Sequence, residues 1–247
     1  MFPERIVPDE EPEGVVSMHL ARYEFARTFV VGKRVADVAC GVGYGSYYLA
    51  SWSRQVVGVD VDGTAVAYAS RRYSDLDNVA FIQADALNLG LAALQFDAVC
   101  SFETVEHLVD AENFLAEVKR ILIPGGHLII STPMAHRSTS NPANPYHVQE
   151  WCADDFKQLL EYHFDCVELY SQLRRKTRIS HFLKRLDVFR LRAHIAPLFL
   201  TRQIARIAGV RATPDLQMSD VLVLPGSIKG ASEVVAIAYD DVSREES

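Results

Sequence analysis

The 247-residue sequence predicts an α/β fold: a mostly parallel sheet of seven strands with helices on both faces. Two observations predict it. Short apolar, β-branched runs alternate with stretches of helical spacing along most of the chain. The first of these runs turns directly into a glycine-rich bend that opens a helix. In chain order, strands are expected at VADVA (35–39), QVVGVD (55–60), VAFIQA (79–84), FDAVCSF (96–102) and GHLIIST (126–132). Two closing strands are expected at about 164–171 and 233–240, and helices at 45–53, 62–73 and 110–121. MHLARYEFARTFV, residues 18–30, has helical spacing, so residues 1–33 are expected to form an N-terminal helical cap. Residues 134–147 are rich in Pro, Asn and Ser and read as a loop.

Composition is that of an ordinary folded domain, and a single domain over 1–247 is expected. The net charge of -7 does not suit a general nucleic-acid binder. Cys40, Cys100, Cys152 and Cys166 show no C-x-x-C spacing, which points to free thiols in a reducing compartment. No apolar run reaches the roughly 18 residues of a membrane-spanning helix. The N-terminus does not read as a signal peptide, so a cytoplasmic location is expected. Charge is unevenly distributed. Residues 174–211 hold eleven Lys and Arg against the single acid Asp187, a net +10, leaving -17 for the rest. The segment 174–229 interrupts the sheet before its last strand. It reads as two or three basic amphipathic helices ending near Gly209, then a looser stretch to Pro225. It is a candidate lid, docking surface or homodimer interface.

The bend after the first strand, DVACGVGYG, carries Gly41, Gly43 and Gly45. Glycine lets a ligand approach the backbone, and the following helix start offers unpaired N–H groups. The second strand ends in Asp60, nineteen residues after Gly41, where a carboxylate can accept from a ribose diol. The third run ends at Asp85, placed for an adenine amino group. The spacing is G-x-G-x-G, not the dinucleotide G-x-G-x-x-G; Ser46 stands where the third glycine would fall.

Over about residues 19–171 and the final strand, the sequence resembles the class I S-adenosylmethionine-dependent methyltransferases, whose fold is Rossmann-like. DVACGVGYG, GVD, QADA, FDAVCSFETVEHL and LIPGGHLIISTP carry the resemblance. It implies that Asp37, Ala39, Gly41 and Gly43 line the methionine end of S-adenosylmethionine, Asp60 the ribose, and Asp85 with Ala86 the adenine. Val61 and Phe102 complete those contacts, and Arg22 in HLARYEFA meets the methionine carboxylate. Ala39 departs from the family pattern, which usually has glycine there.

Glu103, Glu106 and His107 form a Glu-x-x-Glu-His run. On a helical turn, positions i, i+3 and i+4 share one face, and such a trio suits Mg²⁺ or Mn²⁺. Carboxylates in a first turn also simply favour the helix dipole. The run resembles the metal-binding run of ubiquinone-biosynthesis and small-RNA 3′-terminal 2′-O-methyltransferases. That resemblance implies Glu103, Glu106, His107 and His147 as metal ligands. His107, His136 and His147 are the candidate catalytic imidazoles, His136 as the proton acceptor.

A metal that coordinates two neighbouring oxygens points to a vicinal diol or catechol acceptor. NPYHVQEW and HLARYEFA also resemble bacterial methyltransferases of glycan and glycolipid biosynthesis. A sugar hydroxyl on a nucleotide sugar, lipid-linked glycan or glycosylated metabolite is therefore expected. The basic segment 174–211 would then meet a phosphate or an anionic membrane surface, placing the protein at the inner face of the membrane. Three rivals stay open: RNA 3′-terminal 2′-O-methylation, methylation of a polyphenol or quinone precursor, and a non-catalytic cofactor-binding regulatory partner.

Overall fold

Every strand run read from the sequence is hydrogen-bonded into one sheet. In the computed structural model, which describes residues 6–8, 10–175 and 216–244, the strands are β1 (Arg34–Val38), β2 (Gln55–Asp60), β3 (Val79–Gln83), β4 (Phe96–Phe102), β5 (Leu122–Pro133), β6 (Cys166–Arg174), β7 (Val221–Pro225) and β8 (Glu233–Tyr239). Their spatial order is β3-β2-β1-β4-β5-β8-β6-β7. The pairs from β3 to β5 are parallel; β8 runs antiparallel to β5 and β6, and β7 antiparallel to β6. This is the Rossmann-like methyltransferase architecture expected, with eight strands in place of seven.

The additional strand corrects the sequence reading. Residues 221–225 were expected in a loose stretch, but β7 pairs with β6 from Arg174↔Val221 to Tyr170↔Pro225. Pro225 ends the strand, as fits a residue with no backbone N–H to donate. The two or three helices expected between residue 174 and Gly209 lie outside the described residues.

Among the described residues the α-helices are α1 (Glu13–Val30), α2 (Tyr44–Ala50), α3 (Gly63–Arg72), α4 (Ala111–Ile121) and α5 (Ala153–Glu161). Local chemistry sets their starts. Asp62 accepts from the N–H of Thr64 at 2.8 Å and Asp110 from that of Asn113 at 2.9 Å, so each caps the helix it precedes. The side-chain alternation of the strands then splits the core in two. Val234, Ala236 and Ala238 of β8 pack on one face, with Phe114 and Val118 of α4 and Phe156 and Leu160 of α5. Val235 and Ile237 point to the other face, with Tyr23, Ala26 and Val30 of α1 and Leu49 of α2. Among the described residues no helix is long and apolar enough to cross a membrane.

Candidate active site

From β1 the chain steps outward to β2 and β3, then crosses to β4 on the other side of β1. Ligands bind at the strand C-termini of such a reversal. A cavity of about 430 Å³ lies there, within the range of small-molecule sites. Of the expected cofactor residues, Ala39, Gly41, Asp60, Val61, Asp85 and Ala86 all line it, and so does Phe102.

The loop after β1 is shaped by left-handed backbone. Gly41 has φ 58° and Gly43 φ 82°; Ala39, at φ 62°, adopts the same conformation with a side chain. That explains the family preference for glycine at Ala39, where the methyl group carries backbone strain at the cavity wall. Asp60 is oriented by two backbone donors, Gly41 N–H on Oδ2 at 2.8 Å and Asp62 N–H on Oδ1 at 2.9 Å. Asp85 accepts from Leu87 N–H at 2.9 Å, a turn that holds its carboxylate at the end of β3.

Asp37, Gly43 and Arg22 are not among the lining residues. Asp37 is buried beneath the loop and accepts from the hydroxyls of Ser46 (2.6 Å) and Tyr23 (3.3 Å). Burial pushes its carboxyl up to about 7, against the pull of those two hydrogen bonds. Gly43 caps α2, and a Cβ there would lie 2.6 Å from the Phe81 ring. Arg22, 1% exposed, lies 2.9 Å from His19 Nδ1, 3.5 Å from Gln172 Oε1 and 3.8 Å from Glu103 Oε1. Burial and the Arg22 charge hold the His19 imidazole well below its ordinary value, so it is neutral and accepts from the guanidinium. Glu233, at the start of β8, is a further member of this cluster. Burial, then the charge of Glu103, pushes its carboxyl well up.

The helical turn assumed for the Glu-x-x-Glu-His run is broken at its first residue. Glu103 has φ 54°, and only Val105–His107 form a 3₁₀ turn. Glu103 is therefore turned toward Arg22 and Ser131, whose hydroxyl it accepts at 3.2 Å. The residues brought together are Glu106, His107 and His147, whose ligand atoms lie within 4.8 Å of one another. The backbone places them: the N–H groups of Val148 and Gln149 both donate to Glu106 O, at 2.7 and 3.3 Å, which pins the 144–150 loop against the turn. His136 is exposed at a bend and does not line the cavity.

Three features of this trio fit a metal. Glu106 is fully buried, and its Oε1 has no hydrogen-bond partner, an expensive state unless something binds it. Burial, then the Glu103 charge, raises its carboxyl well above the ordinary range, a shift that a bound cation would reverse. His107 Nδ1 lies 3.0 Å from Tyr146 O and His147 Nδ1 2.7 Å from Glu150 Oε1. Both nitrogens donate, which fixes the rings in the manner of supported histidine ligands, although His147 Nε2 lies 3.0 Å from Asn144 Nδ2, an amide that a metal there would displace. Glu106 Oε2 accepts from Thr132 Oγ1 at 3.0 Å. With Glu103 outside the trio the donors are one carboxylate and two imidazoles, which suits Mn²⁺ better than Mg²⁺.

Sequence reasoning missed His19, Tyr23, Tyr44 and Tyr146 in the cavity wall. Tyr44 sits within the glycine motif itself, while α1 and the 134–147 loop bring in His19, Tyr23 and Tyr146 from distant parts of the chain.

The model of the family described as "Methyltransferase domain" matches residues 36–130, which span the glycine loop, Asp60, Asp85 and the Glu103–His107 turn. A probable S-adenosylmethionine-dependent methyltransferase of Mycobacterium tuberculosis is 36% identical over 163 residues, 64% of this chain and 58% of that protein. The chloroplastic tocopherol O-methyltransferase of Arabidopsis thaliana is 32% identical over 155 residues, 53% of this chain and 43% of that protein. The chain thus spans about half the length of these curated relatives. The fold is similar to that of an S-adenosylmethionine-dependent methyltransferase from Thermotoga maritima. Its TM-score is 0.61 at 16% identity, over 90% of this chain and 91% of that one.

Proposed function

We propose that the chain is an S-adenosylmethionine-dependent O-methyltransferase acting on a sugar hydroxyl, assisted by a divalent cation at Glu106, His107 and His147. The observation that supports it is a cavity that brings the expected cofactor residues next to His107, the member of the trio that lines it. The glycine-loop backbone, Asp60 and Asp85 lie along it, and Glu103, Thr104 and His107 lie beside them. The O-methyltransferases among the relatives, which include a tocopherol and a fatty-acid enzyme, fit an oxygen acceptor.

On this reading the loop backbone receives the methionine end, Asp60 the ribose diol, and Asp85 with Ala86 the adenine. Methyl transfer is an in-line displacement that requires the acceptor oxygen directly behind the methyl carbon, so holding both in one cavity supplies much of the acceleration. A bound cation would orient two neighbouring acceptor oxygens and lower the pKa of one. The Nδ1 atoms of His107 and His147 are engaged by Tyr146 O and Glu150 Oε1, and His136 is exposed and does not line the cavity. Glu103, at the cavity wall, is then the group that takes the hydroxyl proton on its carboxylate. Arg22 and Ser131 fix the orientation of that carboxylate.

Labelled S-adenosylmethionine, the purified chain and a fractionated cell extract with added Mn²⁺ test the proposal. EDTA-sensitive label in the glycan or lipid fraction is the expected result. Label in RNA overturns the sugar acceptor, and full transfer in EDTA overturns the metal role.

A further inference from the structure

We propose that Asn144 competes with the cation for His147, so that its amide sets the affinity of the Glu106–His107–His147 site and makes the cation exchangeable. This rests on the cation site proposed above and deepens it: the ion is acquired for turnover and is not held as part of the fold.

The first observation is how the Asn144 amide is turned. A backbone N–H can only donate, and that of Tyr146 reaches Asn144 Oδ1 at 3.1 Å. The other end of the amide therefore faces His147, with Nδ2 3.0 Å from Nε2. An amide NH₂ can only donate as well, so His147 Nε2 accepts from it. On the far side of the ring the Glu150 carboxylate lies 2.7 Å from Nδ1, and a carboxylate accepts. The proton of the ring is thus on Nδ1 and the lone pair on Nε2. A metal would use that same lone pair, so the amide and the cation exclude each other at His147.

The second observation is that the chain assembles the site by itself. His147 N–H donates to Asn144 O at 3.2 Å, and Val148 N–H to Glu106 O at 2.7 Å. His107 Nδ1 donates to Tyr146 O at 3.0 Å, and the His107 and His147 rings meet edge to face with centroids 4.9 Å apart. None of these contacts passes through an ion. The buried Glu106 Oε1 has no partner, whereas His147 Nε2 has one in Asn144. An arriving cation gains the first and must displace the second. That displacement breaks one neutral hydrogen bond, which lowers affinity without abolishing it.

The test is Mn²⁺ binding to the purified chain, followed by loss of the free ion's electron paramagnetic resonance signal. Asn144→Ser removes Nδ2 and keeps a side-chain oxygen able to accept from Tyr146 N–H. It is expected to bind Mn²⁺ about three- to tenfold more tightly than the parent. Glu150→Ala, which removes the support of Nδ1, is expected to bind about ten- to a hundredfold more weakly. A residue that merely shaped the loop would weaken binding when replaced, so the sign at Asn144 decides. Nitrogen NMR of the metal-free protein adds a readout that needs no ion: the His147 Nε2 resonance should move toward that of a free acceptor in Asn144→Ser. After dialysis against EDTA the parent is expected to keep its circular dichroism spectrum. Equal or weaker Mn²⁺ binding in Asn144→Ser, or an unmoved Nε2 resonance, overturns the competition. Collapse of the parent in EDTA overturns the exchangeable cation. Mn²⁺ binding that is absent from the parent, or that survives Glu106→Gln, overturns the cation site itself and the role of Asn144 with it.

Discussion

Replacing Asp37 with Asn should make the protein more stable at pH 8, although Asp37 is fully enclosed and hydrogen-bonded. Burial lifts its carboxyl from 3.8 to about 7. That shift of about three units corresponds to a difference on the order of 4 kcal/mol between the two protonation states. The sign follows from proton counting. Between about pH 4 and 7 the native state keeps this proton while the unfolded chain has released it. The native state therefore binds more protons, and stability falls as pH rises, by up to about 1.4 kcal/mol per pH unit from this one group. The favourable contribution is complete below the unfolded value and is lost as pH passes through about 7. Asn removes the ionisation and keeps an acceptor for the Ser46 and Tyr23 hydroxyls, 2.6 and 3.3 Å from the Asp37 carboxyl. Urea unfolding of both proteins at half-unit steps from pH 5 to 8.5 gives a difference curve in which other titrating groups cancel. The variant should gain steadily on the parent as pH rises and level off above about pH 7. A flat difference curve, or a variant less stable than the parent at pH 8, would refute the reasoning that burial dominates this site.

Ala39→Gly should stabilise the fold by about 1 kcal/mol, because the left-handed φ of 62° costs a side chain strain that glycine escapes; a melting curve checks it. Gly43→Ala should destabilise by several kcal/mol, with φ 82° and a new methyl 2.6 Å from Phe81, read as a drop in urea midpoint at unchanged slope. Arg22→Met should cost about 3–5 kcal/mol, since it leaves Glu103 and Glu233 close together with no cation. That loss should shrink at low pH as the carboxyls take up protons, whereas a purely packing effect would not change with pH.

The fold was legible because its strands are written in β-branched apolar runs and its glycine loop in a fixed spacing. Asp60 and Asp85 were legible for a related reason: each sits where a parallel strand ends, and the ends of neighbouring strands converge. β7 escaped because five residues after a basic stretch carry no pattern of their own; they become a strand by pairing with the edge of β6. Glu103 falls outside the Glu106–His107–His147 group because helical spacing assumes a helix, and the backbone at Glu103, with φ 54°, is not helical. Its carboxylate lies 3.8 Å from Arg22, and Glu233, 130 residues further along, joins the pair without any sequence signal.

By itself, then, the sequence determined the Rossmann-like sheet, the glycine loop and the acidic strand ends. Each depends on residues near in the chain, whose periodicity and backbone preferences act locally. Tertiary structure alone decided the pairing of His107 with His147 and the burial of Asp37 and Arg22. These depend on which distant segments the sheet order brings together and on how much water the packing excludes, and neither quantity is a property of any local stretch of chain.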